Sequence, residues 1–305
     1  MNQLKLRVVI TGANGQLGYE LCRHAPAWVE LVALSSAELD ITDEQAVSSE
    51  LTRIDPTLII NSAAFTAVDK AETEVEKAYA VNRDGVAFLG HYAAGAGIPM
   101  LHVSTDYVFP GNASEPYTED DVTGPTGVYG ASKLAGERAL LAVCPRSLIM
   151  RISWVFGSHG SNFVKTMLRV AEARSELGVV SDQQGCPTSA ASVAIALWAL
   201  ADAYRQQGDL QWGVYHYSGK PACSWYDFAQ EIFAQAGKVG LLSTLPAVNA
   251  ITTDQYPTPA QRPAWSVLSS EKLHALYGVQ PADWRTELTQ VLEELRAQCT
   301  HKKPA

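Results

Sequence analysis

The sequence predicts an α/β fold, a doubly wound parallel sheet carrying a smaller, mostly C-terminal lobe. Three observations lead there. Four strand-then-helix alternations are complete before residue 145, the pattern of βαβ units with right-handed crossovers. A glycine-rich turn joins the first strand to the first helix, at the sheet edge where such folds bind ligands. Beyond residue 155 the alternation gives way to helices, short strands and polar, proline-rich loops. On this reading residues 1–155, with contributions from about 188–217, form the sheet domain. Residues 156–187 and 218–299 form the lobe, and 300–305 a flexible tail.

The first strand is the β-branched run Leu6–Thr11. It opens into Gly12-Ala13-Asn14-Gly15-Gln16-Leu17-Gly18 and then a helical pattern to Arg23. In that context the glycines have separate uses. Gly12 permits a tight turn, Gly15 lets backbone amides approach a pyrophosphate at the helix N-terminus, and Gly18 lets helix and strand pack closely. A Rossmann-type NAD(P) cradle follows, with Asn14, Gln16 and Leu17 filling the turn. A plain structural turn is the alternative. The second strand, Leu31–Leu34, ends in Ser35-Ser36. No carboxylate is placed there to repel a 2′-phosphate and no arginine to receive one, so NADPH is permitted and NADH is not excluded. Asp40 and Ile41 follow as candidates for the adenine edge, with a turn or capping role equally open for Asp40.

The third strand, Thr57–Asn61, leads into small residues, Ala63, Ala64 and Thr66, suited to close passage of a cofactor. A helix containing Asn82 comes next, and its asparagine reads as solvated. The fourth strand, Ile98–Val103, ends in Ser104-Thr105-Asp106, where hydroxyls can donate to a carbonyl or oxyanion. After a polar loop comes the helix of Tyr129-Gly130-Ala131-Ser132-Lys133, then a fifth strand, Ser147–Ile152, ending in Ser153-Trp154. The second half predicts helices at about 162–173, 190–203, 225–236 (capped by Ser224) and 284–298, and strands at about 177–180 and 213–217. Loops 181–188 and 256–263 are expected to close over a substrate.

Tyr129 and Lys133 lie about one turn apart on one helix face. A phenol beside a fixed ammonium has its pKa lowered and can exchange a proton with a substrate oxygen. Chance supplies such a spacing readily; the upstream glycine loop is what makes it a redox-site candidate. Composition narrows the field. A net charge of −9 without a basic cluster argues against nucleic acid and anionic membrane surfaces as partners. The five scattered cysteines form no CxxC and the seven histidines no HxxH or HExxH, so they suit a reducing compartment and offer no zinc motif. With no room for a signal core before the first strand and no long apolar stretch, the expectation is a cytoplasmic protein.

The glycine loop and the Tyr129/Lys133 pair resemble the extended short-chain dehydrogenases/reductases. The finer motifs Asn61–Glu72, Ser104–Gly111, Ser153–Phe156, Asp182–Thr188 and Pro257–Pro263 are similar to the dTDP-4-dehydrorhamnose reductase family, over residues 6–298. The resemblance implies NAD(P)H-dependent reduction of a nucleotide-sugar 4-ketone. By the same token Tyr129 would be the general acid, Lys133 would hold the nicotinamide ribose and Thr105 the reacting oxygen. Val68, Asp69, Asp106 and Trp154 would border the substrate, with Arg262 a candidate for its nucleotide end; a surface salt bridge is the plain alternative for that arginine.

Other functions share the scaffold. A 4,6-dehydratase would need further acid/base residues after the threonine, whereas Asp106 is followed by Tyr107, so dehydration is disfavoured. A 4-epimerase would keep Tyr129 and Lys133. A regulatory subunit resembling methionine adenosyltransferase β would share the fold without catalysis. Some reductases of this family dimerise around magnesium held by three glutamates. Glu20 and Glu294 fit two of those positions, but Ala191 occupies the third, which puts magnesium and that homodimer in doubt.

Overall fold

The computed structural model describes residues 5–301. Its first half interleaves β1 (Leu6–Thr11), α1 (Gln16–Arg23), β2 (Val29–Leu34), α2 (Glu44–Ile54) and β3 (Leu58–Asn61). Then come α3 (Val68–Ala71), α4 (Val75–Tyr79), α5 (Gly85–Ala96), β4 (Met100–Thr105), α6 (Val128–Val143) and β5 (Ser147–Ile152). The second half contains β6 (Val155–Phe156), α7 (Phe163–Ala173), β7 (Glu176–Val180), β8 (Gln184–Gly185), β9 (Thr188–Ser189) and α8 (Ala190–Gln207). It continues through β10 (Gly213–His216), β11 (Cys223–Ser224), α9 (Trp225–Lys238), β12 (Ala247–Ile251), α10 (Glu271–Tyr277) and α11 (Trp284–His301).

Six strands form one sheet in the order β10-β5-β4-β3-β1-β2, parallel at every pairing. Strand side chains alternate between faces, and here both faces are covered. Val8, Ile10, Leu58, Ile60 and Met150 face a core completed by α1 and α8. Val9, Ile59, Met100 and Ile149 face the opposite core, with Val47 and Leu51 of α2, Leu89 of α5 and Leu140 of α6. The reversal of strand order between β1 and β3 leaves the C-terminal strand edge, and hence Gly12, Ala63 and Thr105, facing one crevice.

A separate core builds the lobe from α7, α9 and α11, with Phe156, Phe228, Ile232, Trp284 and Leu292 buried together. Three two-stranded pairings attach to it: β7 with β12, β8 with β11, and β6 with β9. Ser224 caps α9 in a reciprocal box with Asp227. The predicted helix at 190–203 extends to Gln207, where Gly208 ends it in the left-handed region at φ 76°. The strand β12 and the helix α10 had no clear sequence signal: β12 is short and half-exposed, and α10 spans only two turns.

Asn82 is a correction. It is fully buried, because a π-type turn at Ala80–Asp84 connects α4 to α5 and its extra residue turns the side chain inward. There it accepts from Phe65 N (2.8 Å) and donates to Phe65 O (3.1 Å) and Ser132 Oγ (3.0 Å). One side chain thus ties the strand-end segment after β3 to the helix of Tyr129 and Lys133. The predicted tail begins inside α11, which runs to His301, and its last residues, 302–305, lie outside the described residues.

Candidate active site

Gly12 turns at φ +74°, and a Cβ there would stand 2.7 Å from the Ala63 backbone. A Cβ on Gly18 would meet the Gly12 carbonyl at 2.2 Å. Any side chain would fill the turn, so backbone alone forms this surface. Helix α1 begins after Gly15 with no side-chain cap and no acidic residue in its first turn, leaving backbone N–H groups and the positive helix end for a phosphate. These features fit a dinucleotide pyrophosphate. The loop after β6 fastens the turn from outside. His159 Nε2 lies 3.1 Å from Asn14 O, and Asn162 Nδ2 donates to Gln16 Oε1 at 2.9 Å. Neither His159 nor Asn162 could be picked out from the sequence, since their partners are some 145 residues away.

At the end of β2 a carboxylate is present after all. Glu38 folds back, its Oε2 accepting from Ser35 N (2.8 Å) and Ser35 Oγ (2.7 Å), and these bonds hold its pKa below the usual value. The expectation of no carboxylate at this position missed it because Glu38 lies four residues past the strand and reaches it only through a turn. Asp40 takes the turn role: its Oδ1 accepts from Thr42 N (2.9 Å) and Thr42 Oγ1 (2.7 Å). Ile41 is buried against Gly85.

Thr105, Tyr129 and Lys133 come together at the ends of β4 and the start of α6. Thr105 Oγ1 donates to Asp106 Oδ1 (2.9 Å) and shares a hydrogen bond with the Tyr129 phenol. The phenol is not depressed as its spacing from Lys133 suggested. Burial pushes Tyr129 up to about 12, opposed by the Thr105 hydrogen bond. Lys133 instead reaches β4, donating to Val103 O (2.7 Å) with its Nζ 3.3 Å from His102 Nε2. Burial pushes this lysine down to about 8, opposed by Glu137. Behind it runs a buried chain: His102 Nδ1 to Asn61 Nδ2 (3.0 Å), and Asn61 Oδ1 accepting from Thr11 Oγ1 (2.6 Å) and Ala63 N (3.0 Å). Asp106 is raised to about 7 by burial, and its Oδ2 has no hydrogen-bond partner among the described residues.

Beside these groups lies a cleft of about 340 Å³ lined by Asp69, Tyr107, Trp225, Tyr256, Thr258 and Arg262, among others. Residues of the 181–188 and 256–263 loops border it. Asp69 anchors the second loop: its Oδ2 accepts from Arg262 Nη2 (2.9 Å) and its Oδ1 from Ala260 N (3.2 Å). The salt-bridge reading of Arg262 applies. One side of the guanidinium is in a salt bridge, while its buried Nη1 has no partner among the described residues, a donor available to an anion in the cleft. Tyr107 packs edge-on against Tyr129 (5.4 Å between ring centres) and is strongly raised by burial. Val68 starts α3 beside Asp69, and Ala64 and Thr66 lie on the segment between β3 and α3, around the backbone of Phe65 that Asn82 holds. Trp154 stands just past β5, whose Ile152 is in register with Thr105.

The model of the RmlD substrate binding domain matches residues 6–297, nearly the whole chain. The chain belongs to this family. Within it, dTDP-4-dehydrorhamnose reductase of Aggregatibacter actinomycetemcomitans is 47% identical over 93% of this chain and 98% of its own. A crystal structure of a dTDP-4-dehydrorhamnose reductase from Clostridium acetobutylicum superposes with a TM-score of 0.89, at 38% identity, covering 95% of this chain and all of that one. That of Bacillus anthracis, in complex with NADP, gives a TM-score of 0.87 at 34% identity, covering 95% and 99%. Glu20 and Glu294 both lie beside Arg23. Arg23 Nη1 lies 2.6 Å from Glu294 and 3.8 Å from Glu20, and Ser158 Oγ donates to Glu294 (2.7 Å). Among the described residues no group of three His, Cys, Asp or Glu is placed to hold a metal. No described helix is long and apolar enough to cross a membrane.

Proposed function

We propose that this chain is an NAD(P)H-dependent reductase of a nucleotide-sugar 4-ketone, converting dTDP-4-dehydro-β-L-rhamnose to dTDP-L-rhamnose. The observation that carries the reading is a proton donor at the sheet edge, Tyr129 bonded to Thr105, between a glycine cradle and a cleft containing Arg262. The nicotinamide cofactor supplies the hydride when bound. As negative charge develops on the sugar O4, Tyr129 gives it the phenolic proton and Thr105 turns its hydroxyl from Asp106 to donate a hydrogen bond to it, an arrangement worth most in the transition state. Lys133 supplies the local positive charge that favours the resulting phenolate and is the candidate donor to the nicotinamide ribose. Arg262 takes the diphosphate through its unpaired Nη1, and Asp69 keeps that guanidinium in place. Val68, Asp106 and Trp154 border the sugar. Tyr107 is a poor base because burial holds its phenol protonated, which argues against the C5 proton abstraction a dehydratase needs.

The test is spectrophotometric: oxidation of NADPH and of NADH with dTDP-4-dehydrorhamnose, for the native chain and Tyr129→Phe. Native turnover with at least one cofactor is expected, with kcat falling by at least roughly 100-fold in the variant, the usual scale for a positioned acid. No oxidation by the native protein with either cofactor would refute the assignment.

A further inference from the structure

Three register partners cross the sheet on one level: Thr11 of β1, Asn61 of β3 and His102 of β4. All three are buried, and so is Lys133, which reaches the same rung from α6. Hydrogen-bond chemistry decides where their protons sit. The Ala63 backbone N–H can only donate, and it donates to Asn61 Oδ1 at 3.0 Å. That oxygen also accepts from Thr11 Oγ1 at 2.6 Å. The Asn61 amide is therefore oriented, its oxygen toward Ala63 and its NH2 toward His102. The NH2 donates to His102 Nδ1 at 3.0 Å, so Nδ1 accepts. Full burial and the neighbouring Lys133 hold His102 neutral, and a neutral imidazole that accepts at Nδ1 carries its proton on Nε2. The Nε2–H thus faces Lys133 Nζ at 3.3 Å. An ammonium would set N–H against N–H. An uncharged amine offers this N–H a lone pair and still donates to Val103 O at 2.7 Å.

We propose that His102 is a positioning residue for the reduction: held by Asn61 as the Nε2–H tautomer, it aims that N–H at Lys133 and favours the uncharged amine over the ammonium. This rests on the reductase reading above. The opposite arrangement has a visible cost. For Nε2 to accept from an ammonium, the imidazole proton must move to Nδ1 and the Asn61 amide must turn over to receive it. Its NH2 would then point at the Ala63 N–H, donor against donor. The other titratable groups around the lysine do not set this preference. Tyr129, one turn earlier on α6, is held protonated by burial. Glu137, one turn later, favours the ammonium but is paired with Arg151 of β5. Asp106, just past β4, accepts from Thr105. Burial acts with His102, pushing Lys133 down to about 8. The proton that Lys133 needs in order to support a phenolate is thus weakly held, and its loss sets an alkaline limit on turnover not far above neutrality.

Two measurements on the full chain test this. Nitrogen-15 NMR of the native protein without ligands reads the His102 tautomer directly, and should show a protonated Nε2 and a bare Nδ1. In Asn61→Asp the side chain offers acceptors only, so the imidazole proton should move to Nδ1. The second measurement is kcat against pH for native protein and His102→Gln with the nucleotide sugar and reduced cofactor. A glutamine can turn its carbonyl oxygen to the ammonium, so the alkaline limb should move up by about one pH unit, the scale of one hydrogen bond to a charged group. A purely structural His102 would lower kcat at every pH alike and leave the limb where it was. An Nδ1–H tautomer or an imidazolium in the native chain would overturn the proposal, as would an unmoved limb in His102→Gln. If that variant fails to fold, the native spectrum decides. A native chain inactive on the sugar would overturn the reductase reading instead, since the tautomer is read without substrate.

Discussion

Replacing Asp106 with asparagine should stabilise the protein, and by an amount that depends on pH. Asp106 is 3% exposed, and burial raises its carboxyl from 3.8 to about 7 against the opposing hydrogen bond from Thr105. Between those two values the folded protein keeps a proton that the unfolded chain has lost. Stability therefore falls as pH rises through that window, is unaffected below it, and carries the full cost above it. At about 1.4 kcal/mol per pH unit the cost grows to about 4 kcal/mol. Asparagine cannot ionise, so the difference between variant and native protein isolates this group, and all other titrations cancel. The assay is urea unfolding of both proteins at roughly pH 4 and pH 8, where the difference should rise by several kcal/mol from the lower to the higher pH. A constant offset from the lost or altered Thr105 bond would leave that rise intact. An equal difference at both pH values would refute the claim that Asp106 is held protonated by its burial.

Three other outcomes are expected. Glu137 and Arg151 form a buried pair at 2.7 Å, both at most 5% exposed, so Glu137→Gln should cost about 3–5 kcal/mol in denaturant unfolding by leaving the guanidinium unpaired. Glu38 places a charged carboxylate at the β2 end, so Glu38→Gln should raise the affinity for NADPH relative to NADH by about threefold to tenfold in fluorescence titration, as removal of one nearby exposed negative charge allows. Asn82→Ala strands the Phe65 N–H and carbonyl that Asn82 satisfies, and should lower unfolding stability by about 2–4 kcal/mol, with Asn82→Asp recovering only the acceptor half.

How much of this was legible in the sequence depends on the range of the interactions. The sheet elements could be read because each is announced locally: β-branched runs of the right length, a glycine turn, and small residues at a strand end. Thr105 and Tyr129 could be found for the same reason, since a strand terminus and an i,i+4 spacing are short-range patterns. What failed was long-range or depended on a backbone irregularity. Asn82 reads as solvated on a regular helix, and only the π-type turn at Ala80–Asp84 buries it. Glu38 lies outside the strand whose end it caps. The spacing of Lys133 places it one turn from Tyr129 on α6, but it does not show that its ammonium bonds to the Val103 carbonyl on β4. Nor can spacing show that burial outweighs any neighbouring charge on the phenol. Proximity in sequence gives a direction of influence, and burial decides its sign and size.

The same burial gives the site its chemical character. A phenol held up to about 12 is a firm proton carrier. It yields its proton only when a stronger base, such as the alkoxide formed at the sugar O4, is generated beside it. Lys133, pushed down to about 8, sits near neutrality between its charged and uncharged forms. His102, fully buried next to that ammonium, is driven well below its ordinary value and stays neutral. The interior behind the reacting edge thus holds few fixed charges besides Lys133, because the Glu137 carboxylate is compensated by Arg151. A negative charge developing at Tyr129 would share helix α6 with the Lys133 cation, in surroundings where charge–charge attraction is stronger than in water. That condition favours proton delivery at the moment of hydride transfer and disfavours ionisation of the resting phenol, which is the order of events a carbonyl reductase requires.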